Sequence, residues 1–237
     1  MSTKKSKPIL KNKHIEDETV IEIGVDEAGR GPMLGRVYSA AVILPKDETF
    51  KHELMKDSKK FTSEKKINEV ADYIKENAIM WNVAYCSEEE IDHLNIRNAT
   101  HRAMHNAIRN LINNNNIENN NNIKQYHLLI DGNDFKPFTV VDNLNIVQIP
   151  HTCIKGGDNI YSAIAAASIL AKVERDKYIY ELCDNNPDLD EKYSIRKNKG
   201  YGTKDHMNGI IQHGISNYHR KTSSFKIWTY SLSKKSL

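Results

Sequence analysis

The feature that most constrains this fold is an apolar run that ends at two adjacent acids and a glycine-rich loop, GVDEAGRGPMLG over residues 24–35. The run at residues 19–26 is typical of a strand, and a second apolar run at 37–44 predicts another strand that forms a hairpin with it. Glycines in the loop free the backbone from side-chain clashes. Asp26 and Glu27 therefore lie where a strand meets a flexible loop, which suits either a solvated turn or a metal or phosphate site.

The remaining apolar pattern predicts an α/β fold, in which a mixed β-sheet is flanked by helices. Further strands are predicted at 79–86, 126–130 and 144–149, and helices near 63–77, 96–112 and 160–183, with a short capped helix after Ser87. We expect a basic, disordered tail over residues 1–18 and a main domain over 19–186 that contains an asparagine-rich loop at 113–122. A small helical appendage with a basic tail is expected over 187–237.

Composition limits the class of protein more than it identifies a function. The 237 residues carry a formal charge of +3, which is too small to predict nucleic-acid binding, although both chain ends are basic. These ends are either solvated arms or phosphate contacts. The three cysteines form no CxxC pair, no apolar run approaches the roughly 18 residues of a membrane span, and the N-terminus lacks a signal-peptide pattern. We therefore expect an intracellular protein that does not bind membranes.

Acidic residues recur at predicted strand ends and glycine turns. Asp131 follows the strand YHLLI, and Asp158 follows the turn KGG, in the same context as Asp26 and Glu27. Open α/β sheets place their chemistry at strand ends, where four carboxylates would repel each other unless cations lay among them. Two Mg²⁺ or Mn²⁺ ions about 4 Å apart would suit this oxygen-rich set and would serve phosphodiester hydrolysis.

Each of these acids also has a purely structural interpretation. Asp158 could cap the following helix, and Asp131 with Gly132 could form an ordinary turn. Asp26 and Glu27 would point to opposite faces of a regular strand, so both can serve one site only if the strand ends at that point.

Five motifs in this order resemble the type-2 ribonuclease H family: GVDEAGRGPMLG, DSKKFTSEKK, LLIDGN, KGGD with SAIAAASILAKVERD, and NKGYGTKDH. The resemblance covers about residues 20 to 225 and implies an RNase H-like fold. It also implies that an acidic quartet is catalytic and binds two divalent metal ions: Asp26, Glu27, Asp131 and Asp158. The fourth assignment stays open, because Asp176 in VERD is another acid in a matched motif. Alternatively, Asp176 forms a solvent-exposed ion pair with Lys172, four residues earlier.

The resemblance also implies substrate-binding residues. It assigns the reading of a ribonucleotide at an RNA–DNA junction to GRG, which is Gly29, Arg30 and Gly31 here, because glycines let the backbone approach a 2′-hydroxyl closely. Tyr201 in KGYGT would stack under the ribose at the junction, unless it is only a loop tyrosine between two glycines. Ser58, Lys59 and Lys60 of DSKK look like contacts to backbone phosphates, although a lysine-rich loop without that role has the same sequence.

The expected protein is an endoribonuclease that hydrolyses RNA in RNA/DNA hybrids and cleaves on the 5′ side of single ribonucleotides embedded in duplex DNA. Its products would carry 3′-hydroxyl and 5′-phosphate ends. Two alternatives remain: the related type-3 ribonuclease H, which shares the acidic core, and a hybrid-binding module without catalysis. We expect a monomer in the cytoplasm, or in the nucleus if the source is a eukaryote, and the sequence does not reveal accessory subunits.

Overall fold

The computed structural model describes residues 9–114, 125–142 and 144–222, which form seven strands and seven helices within these ranges. The strands are β1 (Ile21–Ala28), β2 (Val37–Ile43), β3 (Met80–Cys86), β4 (Tyr126–Asp131), β5 (Thr139–Asp142), β6 (Asn145–Gln148) and β7 (His151–Ile154). The helices are α1 (Glu64–Asn77), α2 (Glu88–Leu94), α3 (Ile96–Asn114), α4 (Ser162–Asn185), α5 (Pro187–Tyr193), α6 (Ile195–Asn198) and α7 (Lys204–His213). Among these helices, none is both long and apolar enough to cross a membrane.

Five strands form one sheet in the order β3-β2-β1-β4-β7. β1 and β4 are parallel, with Val25 paired to Ile130, and β4 and β7 are also parallel, with Asp131 paired to Ile154. Together with its flanking helices, this mixed sheet confirms the predicted fold class. Because β1, β4 and β7 run in the same direction, their carboxyl ends meet at one edge of the sheet.

One strand predicted from the sequence is present but lies outside the main sheet. The run predicted as a strand at 144–149 is β6, which pairs with the unpredicted strand β5 in a separate antiparallel hairpin. The strand that joins the main sheet is instead β7, which has only four residues, all of them partly buried. So short a segment has too few residues to display the alternation that identifies a strand.

Helix prediction was more accurate because the signals were local. The Ser87 hydroxyl accepts from the Glu90 backbone N–H, and the Glu90 carboxylate accepts from the Ser87 N–H, which is the capping box expected at the start of α2. The alanine-rich part of α4 is buried, as predicted for a close-packed core helix. Gly24 in β1 makes this packing possible, because a Cβ at that position would overlap the backbone of Ala163.

The chain divides into two compact units. The first comprises residues up to Asp26, Ala40–Asn82 and Ile108–Leu170, and one of its apolar clusters joins Leu129 with Ile164. The second comprises Glu27–Ser39, Val83–Ala107 and the residues from Ala171 onward. Among the described residues of the second unit, one apolar cluster forms around Ile179 and Ile210 and another around Cys86 and Ala103. The described part of the expected appendage, residues 187–222, falls within this second unit.

Residues 9–15 were predicted to belong to a disordered tail, but they are attached to the first unit. Lys11 forms an isolated parallel bridge with Tyr161, in which its N–H donates to the Ile160 carbonyl at 2.8 Å. The buried Glu22 carboxylate accepts from the backbone N–H groups of His14 and Ile15 at 2.7–3.0 Å. Residues 1–8 of the predicted tail and residues 115–122 of the asparagine-rich loop lie outside the described residues.

Candidate active site

Asp131 and Asp158 lie close together in the first unit. Asp131 is the last residue of β4, and its Oδ1 accepts from the backbone N–H of Gly157 at 2.7 Å. Asp158 is the next residue, in the 3-10 turn Gly157–Asn159, and its carboxylate accepts from the Asn159 side-chain amide at 2.8 Å. Two acids from separate motifs, predicted to converge at a strand end, are therefore neighbours.

The environment of Asp158 disfavours the charged form of its carboxyl group. Burial raises the pKa of Asp158, and the carboxylates of Asp131 and Asp57 raise it further, while the Asn159 amide and Lys59 oppose the shift. Like charges held together in this way are the arrangement that a bound cation would relieve. Asp57, which was not predicted as a site residue, belongs to this acidic group.

Asp26 lies in β1, next to the strand that carries Asp131. Val25 of β1 pairs with Ile130 of β4. Asp26 and Asp131, the next residue of each strand, are therefore side by side on two adjacent parallel strands. The Asp26 side chain is buried, at 5% exposure. Asp26 thus lies near the end of β1, Asp131 lies at the end of the neighbouring strand β4, and Asp158 lies in the turn that follows β7.

Glu27 was expected to share a site with Asp26 only if the first strand ended between them, and the structure shows no such end. β1 continues to Ala28, so the strand does not end at Asp26, and successive side chains of a strand point to opposite faces. In the second unit, the Glu27 carboxylate accepts from the guanidinium of Arg30 at 3.2 Å.

The donor atoms fit a hard divalent cation in chemistry. The carboxylates of Asp131 and Asp57 lie near that of Asp158, and Mg²⁺ and Mn²⁺ prefer oxygen ligands. Across the described ranges, however, no three His, Cys, Asp or Glu side chains are grouped closely enough to hold one ion. The acidic group around Asp158 therefore suits such an ion by the chemistry of its donor atoms.

The DSKK motif lies beside the Asp158 turn. Ser58–Lys60 form a 3-10 turn that Asp57 caps by accepting from the Lys59 N–H at 2.9 Å. Lys59 and Lys60 are exposed, and the Lys60 ammonium donates to the side-chain carbonyl of Asn159. Ser58 is buried and its hydroxyl contacts that of Ser168 at 3.1 Å. The two lysines are therefore better placed than Ser58 to contact a ligand.

In the second unit, the GRG loop lies against Tyr201. A Cβ on Gly31 would be 3.3 Å from the edge of the Tyr201 ring, and the Met33 N–H donates to the Gly200 carbonyl at 2.8 Å. Tyr201 is 46% exposed and the Arg30 side chain 54% exposed, so both remain accessible. The folded chain thus brings together the two motifs that the resemblance assigned to ribonucleotide recognition.

A buried arginine that the sequence did not single out supports this pair. Arg175 of α4 is 1% exposed, and its guanidinium donates to the Lys199 carbonyl at 2.8 Å and lies 5.8 Å from the centre of the Tyr201 ring. Gly29, with φ +95°, makes room for it, because a Cβ there would overlap the Arg175 Nε. The only available signal was the position of Arg175 inside the VERD motif.

Asp176 forms the ion pair that was the alternative to a metal role. Lys172 donates to both carboxylate oxygens of Asp176 at 2.7 Å. The Asp176 side chain is 17% exposed, so the pair is partly buried rather than solvent-exposed as expected. Asp158, which lies beside Asp131, is the better supported fourth acid.

The fold and these motifs define the class of protein. The structure aligns with ribonuclease H2 from Pyrococcus horikoshii OT3 at a TM-score of 0.64 and 21% identity, over 89% of this chain and 98% of that one. It also aligns with Bst-RNase HIII, solved in complex with Mn²⁺, at a TM-score of 0.62 and 16% identity, over 91% and 70% of the two chains. At these identities the similarity establishes a ribonuclease H fold.

Sequence comparison then specifies the family. The model of the family described as Ribonuclease HII matches residues 23–227. Ribonuclease HII of Parabacteroides distasonis is 47% identical over 202 residues, which cover 85% of this chain and 89% of that protein. The chain belongs to the ribonuclease HII family and is therefore a nuclease, an endoribonuclease of RNA/DNA hybrids.

Proposed function

We propose that this ribonuclease incises duplex DNA on the 5′ side of a single embedded ribonucleotide, in addition to hydrolysing RNA in longer RNA/DNA hybrids. The products carry 3′-hydroxyl and 5′-phosphate ends. The observation that carries the proposal is the position of the exposed Tyr201 ring beside Gly31 of the GRG loop, so close that a Cβ on Gly31 would be 3.3 Å from the ring. An aromatic face beside an open stretch of backbone suits one sugar at a junction, where stacking and hydrogen bonds to the 2′-hydroxyl act together.

Asp26, Glu27, Asp131 and Asp158 are the proposed ligands of two divalent ions, Mg²⁺ or Mn²⁺, and Glu27 joins the other three only where the last residues of β1 depart from the regular alternation of a strand. When bound, such ions would activate water and stabilise the leaving 3′ oxygen. The raised pKa of Asp158, caused by burial and by Asp131, supports a site that gains from added positive charge. The Gly157 N–H orients the Asp131 carboxylate, and the Asn159 amide orients that of Asp158.

Arg30, Lys59 and Lys60 are the proposed phosphate contacts. Arg30 keeps a permanent charge on an accessible side chain, and its ion pair with Glu27 holds it near the start of the loop. Lys59 and Lys60 are exposed around the acidic turn. Ser58 was also predicted to contact phosphate, and in that role its backbone rather than its engaged hydroxyl would serve. These residues position the duplex without reading its sequence.

We further propose that the enzyme acts as a monomer inside the cell and that its partners are the hybrid and the ribonucleotide-containing duplex.

The direct test is cleavage of duplex DNA carrying one ribonucleotide, with Mg²⁺ or Mn²⁺ and with EDTA. We expect one cut on the 5′ side of the ribonucleotide, and no cut with EDTA. Binding without cleavage at any metal concentration would favour a hybrid-binding module. Cleavage of long hybrids with no cut at a lone ribonucleotide would favour the substrate range of a type-3 enzyme.

Tyr201→Ala tests the junction assignment. A lone ribonucleotide must be recognised in a single register, whereas a long hybrid offers many. Loss of an aromatic stacking surface costs about 1–3 kcal/mol, which predicts a selective fall of roughly five- to a hundredfold in kcat/KM for the lone ribonucleotide. Tyr180→Ala, at a tyrosine of α4 outside the proposed contacts, is the control. Equal losses on both substrates would mean that Tyr201 serves the fold or general binding.

A further inference from the structure

The GRG loop is held by a buried arginine from the distant segment 216–220. Arg220 is 2% exposed, and its Nε and two Nη atoms donate to main-chain carbonyls of residues 29–36 at 2.6–3.1 Å. The five acceptors are Gly29, Arg30, Pro32, Gly35 and Arg36. A guanidinium presents its donors in a fixed planar fork, so these bonds set the relative positions of five carbonyls at once.

Backbone pairing places Arg220 at the loop. The Arg220 N–H donates to the Met33 carbonyl at 2.8 Å, and the Gly35 N–H donates to the Tyr218 carbonyl at 3.0 Å. A loop rich in glycine has more backbone freedom to lose than other loops, so it needs external hydrogen bonds to remain in one conformation. Arg220 and its segment supply those bonds.

Two buried histidines connect the same segment to Tyr201. The His206 and His219 Nε2 atoms are 3.0 Å apart, and both side chains are almost completely buried. His206 Nδ1 lies 2.9 Å from the Tyr201 carbonyl, which can only accept, so this nitrogen carries the proton. At the other end, His219 Nδ1 accepts from the Ser216 N–H at 2.9 Å.

These partners determine the tautomer of each ring. Neutral His206 is protonated on Nδ1, so its Nε2 accepts from the Nε2–H of neutral His219, whose Nδ1 accepts from Ser216. Every ring nitrogen in this chain of hydrogen bonds is satisfied in a single direction. The chain therefore ties the backbone at Tyr201 to the residue that precedes Arg220.

We propose that Arg220, His206 and His219 are positioning residues for ribonucleotide recognition, with Arg220 holding the GRG loop and the two histidines holding the Tyr201 backbone. Their buried side chains act through Gly31 and Tyr201 and make no contact with nucleic acid themselves. This inference rests on the proposed function of those two residues.

The histidine part is tested by two matched substitutions. In His206→Gln the amide reaches the position of Nε2, which keeps the contact with His219 and loses the donor to Tyr201. In His206→Asn the amide lies near Nδ1, which keeps the Tyr201 contact and loses the one to His219. One hydrogen bond contributes about 0.5–1.5 kcal/mol, so His206→Gln should lower the ratio of kcat/KM for a lone ribonucleotide to that for a long hybrid by about two- to tenfold. His206→Asn should lower this ratio less.

A role limited to the fold would lower both kcat/KM values together and leave their ratio unchanged in the two variants. That outcome, or a larger loss of selectivity in His206→Asn than in His206→Gln, would overturn the histidine part of the proposal.

The arginine part is tested without activity, by amide hydrogen exchange in full-length Arg220→Lys. Lysine keeps the charge, but its three donors on one nitrogen cannot span five carbonyls. We expect amides of residues 29–36 to exchange at least about tenfold faster while those of β4 are unchanged. Arg196→Lys, at an exposed arginine of the same unit paired with Asp184, is the matched control. Unchanged exchange in the loop would overturn the role of Arg220.

The ratio of kcat/KM for a lone ribonucleotide to that for a long hybrid, measured in Arg220→Lys, completes the test of the arginine part. If exchange in the loop accelerates but Arg220→Lys discriminates the two substrates as the wild type does, the loop is held by Arg220 without serving recognition, and the proposal is wrong. If Tyr201→Ala leaves the ratio unchanged, the proposed function of Tyr201 fails. Hydrogen exchange then still decides whether Arg220 holds the loop.

Discussion

Asp158 and Arg220 are both charged groups in largely buried positions, and their surroundings differ. Asp158 faces other carboxylates, which raise its pKa in addition to the effect of burial. Arg220 is surrounded by carbonyl dipoles from residues 29–36, and burial lowers its pKa to about 10, so it remains charged at neutral pH. A group with repulsive neighbours is suited to a ligand of opposite charge, whereas a group with satisfied donors is suited to holding structure.

At the carboxylates, Asp131→Asn and Asp26→Asn should each lower the cleavage rate about a thousandfold while hybrid binding persists. The amide keeps the shape, and at position 131 it can still accept from the Gly157 N–H, but it loses the charge that would hold the ions. Loss of about 4 kcal/mol of stabilisation corresponds to this factor. Single-turnover rates and equilibrium binding check the prediction, and more than about a tenth of wild-type activity would remove that position from the metal site.

At the buried histidine pair, acid should destabilise the protein. Burial and the neighbouring His206 lower the pKa of His219 to about 3, from an ordinary value of 6.5. As the pH falls below 6.5, His219 binds a proton in the unfolded chain but stays neutral in the folded protein. The free energy of unfolding therefore decreases from about pH 6.5 down to about pH 3. The cost from His219 is about 2 kcal/mol at pH 5.

His219→Gln keeps a donor toward His206 and removes this titration. Its free energy of unfolding should therefore fall between pH 7 and pH 5 by about 2 kcal/mol less than that of the wild type. Urea unfolding at both pH values measures the difference. His213→Gln, at an exposed histidine of the same unit, is the control. An identical pH dependence in His219→Gln and wild type would contradict a neutral, buried His219.

At the scale of elements, local signals identified most helices and the early strands, while short elements needed a partner to be recognised. The capping box of α2 and the apolar face of α1 are encoded within a few residues. β5 and β7 have four residues each, and their pairing is determined by distant strands or by the hairpin they form. A residue pattern of that length does not specify which edge it will join.

Two glycine turns give an element-scale prediction, because they share a backbone conformation and differ in crowding. Gly29 has φ +95° and a Cβ there would overlap Arg175, whereas Gly132 has φ +98° and nothing within 4 Å of a Cβ. Alanine at either site incurs about 1–2 kcal/mol of backbone strain, and Gly29→Ala adds an overpacking cost of about 1–3 kcal/mol. Denaturant unfolding should therefore find Gly29→Ala the less stable variant by at least about 1 kcal/mol. Equal losses would mean that Arg175 moves aside freely.

At the scale of the whole molecule, the two ends of the chain were expected to be basic tails, yet parts of both are structural. Residues 9–15 pair with Tyr161 and satisfy Glu22, and Arg220, in the basic C-terminal part of the sequence, is buried. Charge near a chain end is ordinarily solvated. Only the positions of the acceptors reveal that these residues are bound.

Two truncations separate the roles of the N-terminal residues. Removal of residues 1–8 deletes Lys4, Lys5 and Lys7 and should reduce the salt dependence of hybrid binding without loss of stability. Removal of residues 1–18 should also lower the free energy of unfolding by about 1–3 kcal/mol, because Glu22 loses its buried donors. Fluorescence anisotropy across a salt series and urea unfolding measure both effects, and the cleavage position should not change. A salt dependence equal to the wild type in both truncations would show that these lysines do not contact nucleic acid.

The sequence by itself determined the family resemblance, the fold class and the candidate acids, because each of these is written in contiguous residues: glycine loops, strand-end aspartates and helical periodicity. The tertiary structure decided which of them meet. It placed Asp57 beside Asp158, set Arg175 against Gly29 and Tyr201, and attached Arg220 to the GRG loop. The physical reason is that these contacts join segments far apart in the chain, and a hydrogen bond or a clash depends on a partner's position, which no local pattern contains.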